Sequence, residues 1–197
     1  ALRDPMLYSG RVLMFLISTV FFAIIYVKSR DRNQDQALQR MWFIIWILGV
    51  PSNMAVVAVY AYNTEFNAIK REVKNGMMGP IPYLLANSIL LIPVVFILAI
   101  SALAVSAYGI IDFNGERFGE VMLLYACFLY SFESLAQTLS VAFDNPLMGM
   151  LNFMQLWFTS FLFSGLFITI KDIVWPFRVF PYILPLKYAV QAIVYQE

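Results

Sequence analysis

An all-α, multi-pass integral membrane fold is predicted by three observations. The chain is 61% hydrophobic and 13% charged, far from the composition of soluble domains. Its uncharged apolar stretches fall into five segments, 12–27, 41–62, 81–108, 121–143 and 147–170. These meet or approach the about 20 helical residues that cross a hydrocarbon core of roughly 30 Å. The intervening residues are short polar connectors, and helices are the default in lipid because each satisfies its own backbone hydrogen bonds.

The first span is the shortest. Arg11 snorkels at its start and lets it begin nearer Met6. Residues 28–40 form a charged connector. The second span carries Pro51, which removes a backbone donor and opens the helix near Asn53. Residues 65–74 then read as a short interfacial helix. Phe66, Ile69, Val73 and Met77 recur at helical spacing, and Asn67, Lys70, Arg71 and Lys74 take the other side. Gly76 ends it. The third span is the longest; Pro82 lies near its start and Pro93 inside it, where a tilt or kink is expected. Residues 109–120 form a second polar connector with an Asn114-Gly115 turn. Asp144-Asn145-Pro146 is a tight hairpin between the fourth and fifth spans. Residues 173–195 are interrupted by Pro176, Pro181 and Pro185 and crowded with Trp175, Phe177, Phe180, Tyr182 and Tyr188. Aromatics gather where membrane meets water, so this segment is expected to be re-entrant or interfacial.

Composition also removes chemistry. There is no His, which excludes imidazole metal sites, Ser–His triads and His proton shuttles. No catalytic residue and no metal site is assigned. The net charge of +1 comes without a basic tract, so nucleic acid is not a partner. Cys127 reads as a small buried hydrophobe. No Gly-x-x-x-x-Gly-Lys-Ser/Thr loop occurs. The chain begins at Ala1 without Met and reads as an excerpt from a longer protein.

Glu133 is the sharpest intramembrane feature, one helical turn before Gln137. A carboxylate at that depth must be protonated, hydrogen-bonded or facing water. It is either a proton-linked or substrate-binding group, or a polar clamp between helices with Gln137, Thr138, Asn152 or Gln155 as partner. The clamp is preferred. None of the five spans holds a Lys or Arg, so a charged partner is expected from outside the chain. The proton-linked alternative is a proton-coupled secondary transporter using Glu133.

Several short elements together resemble one family. Glu65, Arg71-Glu72, Gly76 and Tyr83 stand at the spacing of a signature of the G subfamily of ABC transporters, the white and pleiotropic-drug-resistance group. Phe163-Ser164-Gly165-Leu166-Phe167-Ile168 resembles its stretch near the outer end of the fifth span. Pro185-Leu186-Lys187-Tyr188-Ala189 resembles its outer-loop element, and Arg3-Asp4-Pro5 its approach to the first span. These fall in the family's order over nearly the whole chain. Met77-Met78 depart from it, standing where the family usually has Tyr.

The resemblance implies the membrane domain of an ATP-driven exporter, with no cofactor bound by these residues. ATP and Mg would bind a separate nucleotide-binding domain, in the same chain or complex. A second transmembrane half, membrane lipids and a sixth span after Glu197 are also implied, and the location is the plasma membrane. Glu65, Arg71 and Glu72 would couple residues 65–74 to the ATPase domain. Asn53, Met154, Trp157, Phe158 and Phe161 would line a central cavity, and Leu166 and Phe167 would form its exit gate. The cargo would be a lipid, sterol or amphipathic xenobiotic. This reading puts Arg3, Arg11, Lys70, Arg71 and Lys74 in the cytosol and the other eight Lys and Arg outside. The positive-inside rule points the opposite way; the coupling role fixes the orientation.

Overall fold

The computed structural model describes residues 9–31, 34–77, 79–165 and 173–196, and these are helical with polar connectors. Eight α-helices follow in order among them: α1 (Arg11–Ile25), α2 (Ala37–Asn53), α3 (Val56–Lys74), α4 (Pro80–Leu103), α5 (Phe118–Ala142), α6 (Pro146–Leu162), α7 (Phe180–Ile183) and α8 (Pro185–Gln196). A π-helical stretch, Ala104–Ile110, prolongs α4. Among the described residues, three helical rods are long and apolar enough to cross a membrane: Gln34–Lys74, Ile81–Ile110 and Gly115–Ala142. The α1 helix is apolar but shorter, and α6 runs to Leu162, near the edge of the described residues.

One boundary differs from the sequence expectation. Residues 65–74 are not a separate interfacial helix. They are the last turns of α3, so the charged segment is a rigid continuation of the second apolar rod. No helix breaker stands between Tyr62 and Glu65, and periodicity alone could not show that the helix persists. The interruption lies higher, between α2 and α3. There Met54 N–H donates to Pro51 O at 3.1 Å and Ala55 N–H to Ser52 O at 3.3 Å, the tighter i→i+3 pattern of a 3₁₀ turn. Across Pro93, α4 continues as helix.

Pro51 leaves the carbonyl of Ile47, four residues earlier, without its helical donor. The hydroxyl of Tyr125, fully buried on α5, donates to that oxygen at 2.8 Å. The break in the second rod is thus closed by a side chain from another helix.

The α5 helix is the central post. It packs against α2, α3, α4, α6 and α8. Its buried side carries Val121, Tyr125, Phe128, Leu129, Phe132, Glu133 and Ala136. Cys127 falls on the opposite side and is exposed, which corrects its reading as a buried hydrophobe. The α8 helix buries Leu186, Lys187, Ala189, Val190 and Ile193 against α2, α5 and α6. The ammonium of Lys187 lies 4.7 Å and 5.2 Å from the ring centroids of Tyr182 and Tyr188, so aromatic faces meet this charge. Trp175, Phe177, Tyr182 and Tyr188 remain exposed.

Further contacts join elements at the two ends of the bundle. At one end Arg40 reaches Ser29 O at 3.5 Å and Asp112 O at 3.3 Å, its guanidinium lying 5.2 Å from the Phe113 ring centroid. At the other, α3 meets the start of α4 and the α5–α6 hairpin.

Replacing Tyr125 by Phe should lower the unfolding midpoint in detergent, equivalent to about 1–3 kcal/mol, because it orphans a buried carbonyl. Tyr130→Phe, at a partly exposed position of the same helix, should leave the midpoint in place.

Candidate functional site

The charged end of α3 is built by a clean division of faces. Phe66 is buried and Ile69 and Val73 partly so, while Asn67, Lys70, Arg71, Glu72 and Lys74 are exposed. The helix stops in a Schellman arrangement. Gly76, at φ +71, donates to Val73 O at 3.0 Å, and Met77 N–H donates to Glu72 O at 3.1 Å. Only glycine holds that left-handed position without strain.

The three residues assigned to coupling do not behave alike. Glu65 is half-buried and accepts a hydrogen bond from the Tyr83 hydroxyl at 2.9 Å. The Tyr83 ring also meets Phe66 edge-on, with centroids 5.8 Å apart. Glu65 therefore ties the end of α3 to the first turn of α4. Arg71 and Glu72 project outward with no side-chain partner among the described residues. Lys70 pairs with Asp144 at 3.3 Å across to the α5–α6 hairpin, an exposed pair of small energetic value.

The intramembrane site is an ion pair. Glu133 lies on α5 at 2% exposure and accepts from the guanidinium of Arg11, the first residue of α1, at 8% exposure. This corrects the expectation of a charged partner from outside the chain. The first apolar run begins at Val12, and snorkelling would carry Arg11 to the interface. Instead α1, packed on α2 and α4, sends the Arg11 side chain to Glu133 on α5. The clamp expected here is therefore ionic. Thr138 and Asn152 bond carbonyls of their own helices. Arg11 Nε, Glu133 Oε2 and Gln137 Nε2 are buried without a partner among the described residues. A partly satisfied buried network is costly to disturb.

The proposed cavity residues divide into two groups. On α6, Trp157 and Phe161 turn toward α2 and are partly buried. Trp157 Nε1 donates to the Ser52 hydroxyl at 2.9 Å, which itself donates to Gly49 O at 2.8 Å. The Trp157 and Phe161 rings stack 5.4 Å apart, and Phe161, Trp46 and Phe22 continue the series across to α1. Met154 and Phe158 lie on the uncovered side of α6 at 42% and 60% exposure. Asn53 stands at the helix break, with a buried Oδ1 that has no partner among the described residues. Leu166 and Phe167 lie outside the described residues, as do Arg3-Asp4-Pro5 and Met78.

Comparison with known proteins decides the family. A family model described as ABC-2 type transporter matches residues 1–197. The chain belongs to the ABC-2 type transporter family. It is the membrane-spanning part of an ABC transporter. It is also similar to ABC transporter G family member 23 of Arabidopsis thaliana, 21% identical over 99% of this chain and 31% of that protein. The chain thus spans about a third of the relative it matches.

Sequence reasoning missed three residues of this ABC-2 domain. Arg11 abuts the first apolar run, but Lys28, Arg40 and Lys171 abut theirs equally, so the sequence did not single it out as the partner of the lone carboxylate. Ser52 gave no sign of serving Trp157. Asn63, described below, gave only its place at the membrane border.

Removing either charge alone should cost about 3–5 kcal/mol, since it strands the other in a buried site. Arg11→Met with Glu133→Leu should recover most of that loss. Thermal unfolding of the four proteins in one detergent measures the cycle; additive losses would show that the pair is not coupled.

Proposed function

We propose that this domain is the membrane half of an ATP-driven exporter that moves lipids, sterols or amphipathic xenobiotics, in the plasma membrane, by alternating access. The observation that carries the reading is the rigid α3 rod, which leads from the bundle to an exposed, unpaired Arg71-Glu72. A helix that fuses a charged tip to an apolar span transmits a push without bending. The tip would meet a nucleotide-binding domain, where ATP and Mg bind, because residues 1–197 contain no phosphate-binding loop. Glu65, held by Tyr83, would keep the tip at a fixed angle rather than touch the ATPase.

A second transmembrane half, from a homodimer, a heterodimer or the same chain, would cover the exposed side of α6. Met154 and Phe158 would then line the space between halves together with Asn53, and Trp157 and Phe161 would form its wall. Aromatic and Met side chains give area and adapt to varied apolar ligands. Leu166 and Phe167 would close the outer end. The α1 and α6 helices would complete five crossings. The pairing of Glu133 with Arg11 gives that carboxylate a fixed cation, which favours a structural role over proton-coupled transport.

In the full-length protein, Arg71→Ala with Glu72→Ala should cut ATP-dependent transport by about tenfold or more, without changing the amount of folded protein. Wild-type transport would sink the coupling role. Trp157→Ala should change the range of transported compounds more than folding yield; an unchanged range for every compound tested would remove Trp157 from the cavity.

A further inference from the structure

We propose that α3 and the α5–α6 hairpin move as one body, and that Asn63 is the positioning residue that joins them. The proposal rests on the exporter reading above and adds the path by which the push travels.

The last carbonyls of a helix have no intrahelical donor. At the end of α5 the donor comes from another helix. Asn63, at 4% exposure on α3, gives both protons of its amide across the interface, to Ser140 O at 2.9 Å and Phe143 O at 2.8 Å. Its Oδ1 accepts from Asn67 Nδ2 at 3.2 Å, so the orientation of the amide is fixed from both ends. One turn nearer the membrane centre, α6 lies directly on α3. A Cβ placed on Gly149 would meet Val59 Cγ1 at 3.0 Å and Leu139 O at 3.4 Å. Toward the tip, Lys70 reaches Asp144 in the hairpin turn. These contacts run from Val59 to Lys70, about 16 Å of helix at the standard rise. The hairpin turn is itself held, since Asn145 Oδ1 accepts from Leu147 N–H at 3.0 Å.

The flexible joint is therefore not between α3 and the hairpin. It lies at the 3₁₀ turn between α2 and α3, where the regular i→i+4 ladder is interrupted. A push at Arg71 and Glu72 would carry the base of α6 with it, and with α6 the residues Met154, Trp157, Phe158 and Phe161. Asn63 does not face cargo or ATPase; it makes the tip and the cavity wall one lever.

Two experiments in the full-length transporter test this. In the first, Lys70→Cys and Asp144→Cys, in a background in which Cys127 and every other native cysteine are replaced, are bridged by a short cleavable bifunctional thiol reagent. If the two elements move together, the bridged protein keeps ATP-driven transport. Transport lost on bridging and restored on cleavage would overturn the proposal. In the second, Asn63→Asp keeps the shape but removes both donors and sets an acceptor against two carbonyls. Transport per ATP hydrolysed should fall by about fivefold or more while hydrolysis continues, and Asn63→Gln should restore part of it. An unchanged ratio in Asn63→Asp overturns the proposal. If that variant does not fold, the bridge decides alone. A parent protein with neither ATPase activity nor transport removes the exporter reading and this proposal with it. An active parent stopped by the bridge removes only this proposal.

Discussion

A bilayer core offers no hydrogen bonds, so backbone groups that enter it must be matched within the protein and polar side chains there are costly without partners. This constraint organises the bundle around α5. At three heights that helix meets a polar group from a neighbour. Tyr125 supplies the donor that Pro51 withholds from Ile47. Glu133 takes the guanidinium of Arg11. The terminal carbonyls at Ser140 and Phe143 take the amide of Asn63. Apolar packing alone would let the helices slide, because lipid tails are as apolar as the side chains. These polar ties set which helix faces which, and at what depth.

The same ties explain how an interrupted rod can transmit force. The second apolar rod is weakened at Pro51 and closed by Tyr125, then continues unbroken to Lys74. The stiff portion is the one that ends in Arg71 and Glu72. It is held sideways by Tyr83 and, through Asn63, by the end of α5, so under the proposed coupling a displacement of its tip would reach α6. The face of α6 that stays uncovered carries Met154 and Phe158, side chains suited to varied apolar ligands.

Much of this was legible in the sequence. Apolar runs located the helices, because length and composition are enough to do so in a membrane protein. Helical spacing separated Phe66, Ile69 and Val73 from the charged side of the same turn, and Gly76 marked its end. Three features were not legible, each for a physical reason. Hydropathy falls at Asn63 although no Gly or Pro follows before Gly76, so the charged segment looked detached from its span. The pairing of Arg11 depends on how α1 sits on α2 and α4, which is a tertiary fact. The outward turn of Cys127 follows from α5 choosing Tyr125, Phe128 and Phe132 for its buried side, and an apolar helix in lipid shows little contrast between its sides. Within the candidate site, the family resemblance singled out Trp157 and Phe161 as cavity residues, whereas their contacts with Ser52 and Trp46 needed the three-dimensional arrangement.

The account depends on the side of the membrane that the tip of α3 faces. Single cysteines at Asp31 and at Asn75, both exposed, can be placed in the full-length protein after replacement of Cys127 and every other native cysteine and probed with a membrane-impermeant maleimide. The predicted result is that position 31 is labelled on intact cells, and that position 75 is labelled only after permeabilisation. Labelling of position 75 from outside intact cells, with position 31 protected, would contradict the account, because no ATPase domain could then reach Arg71 and Glu72.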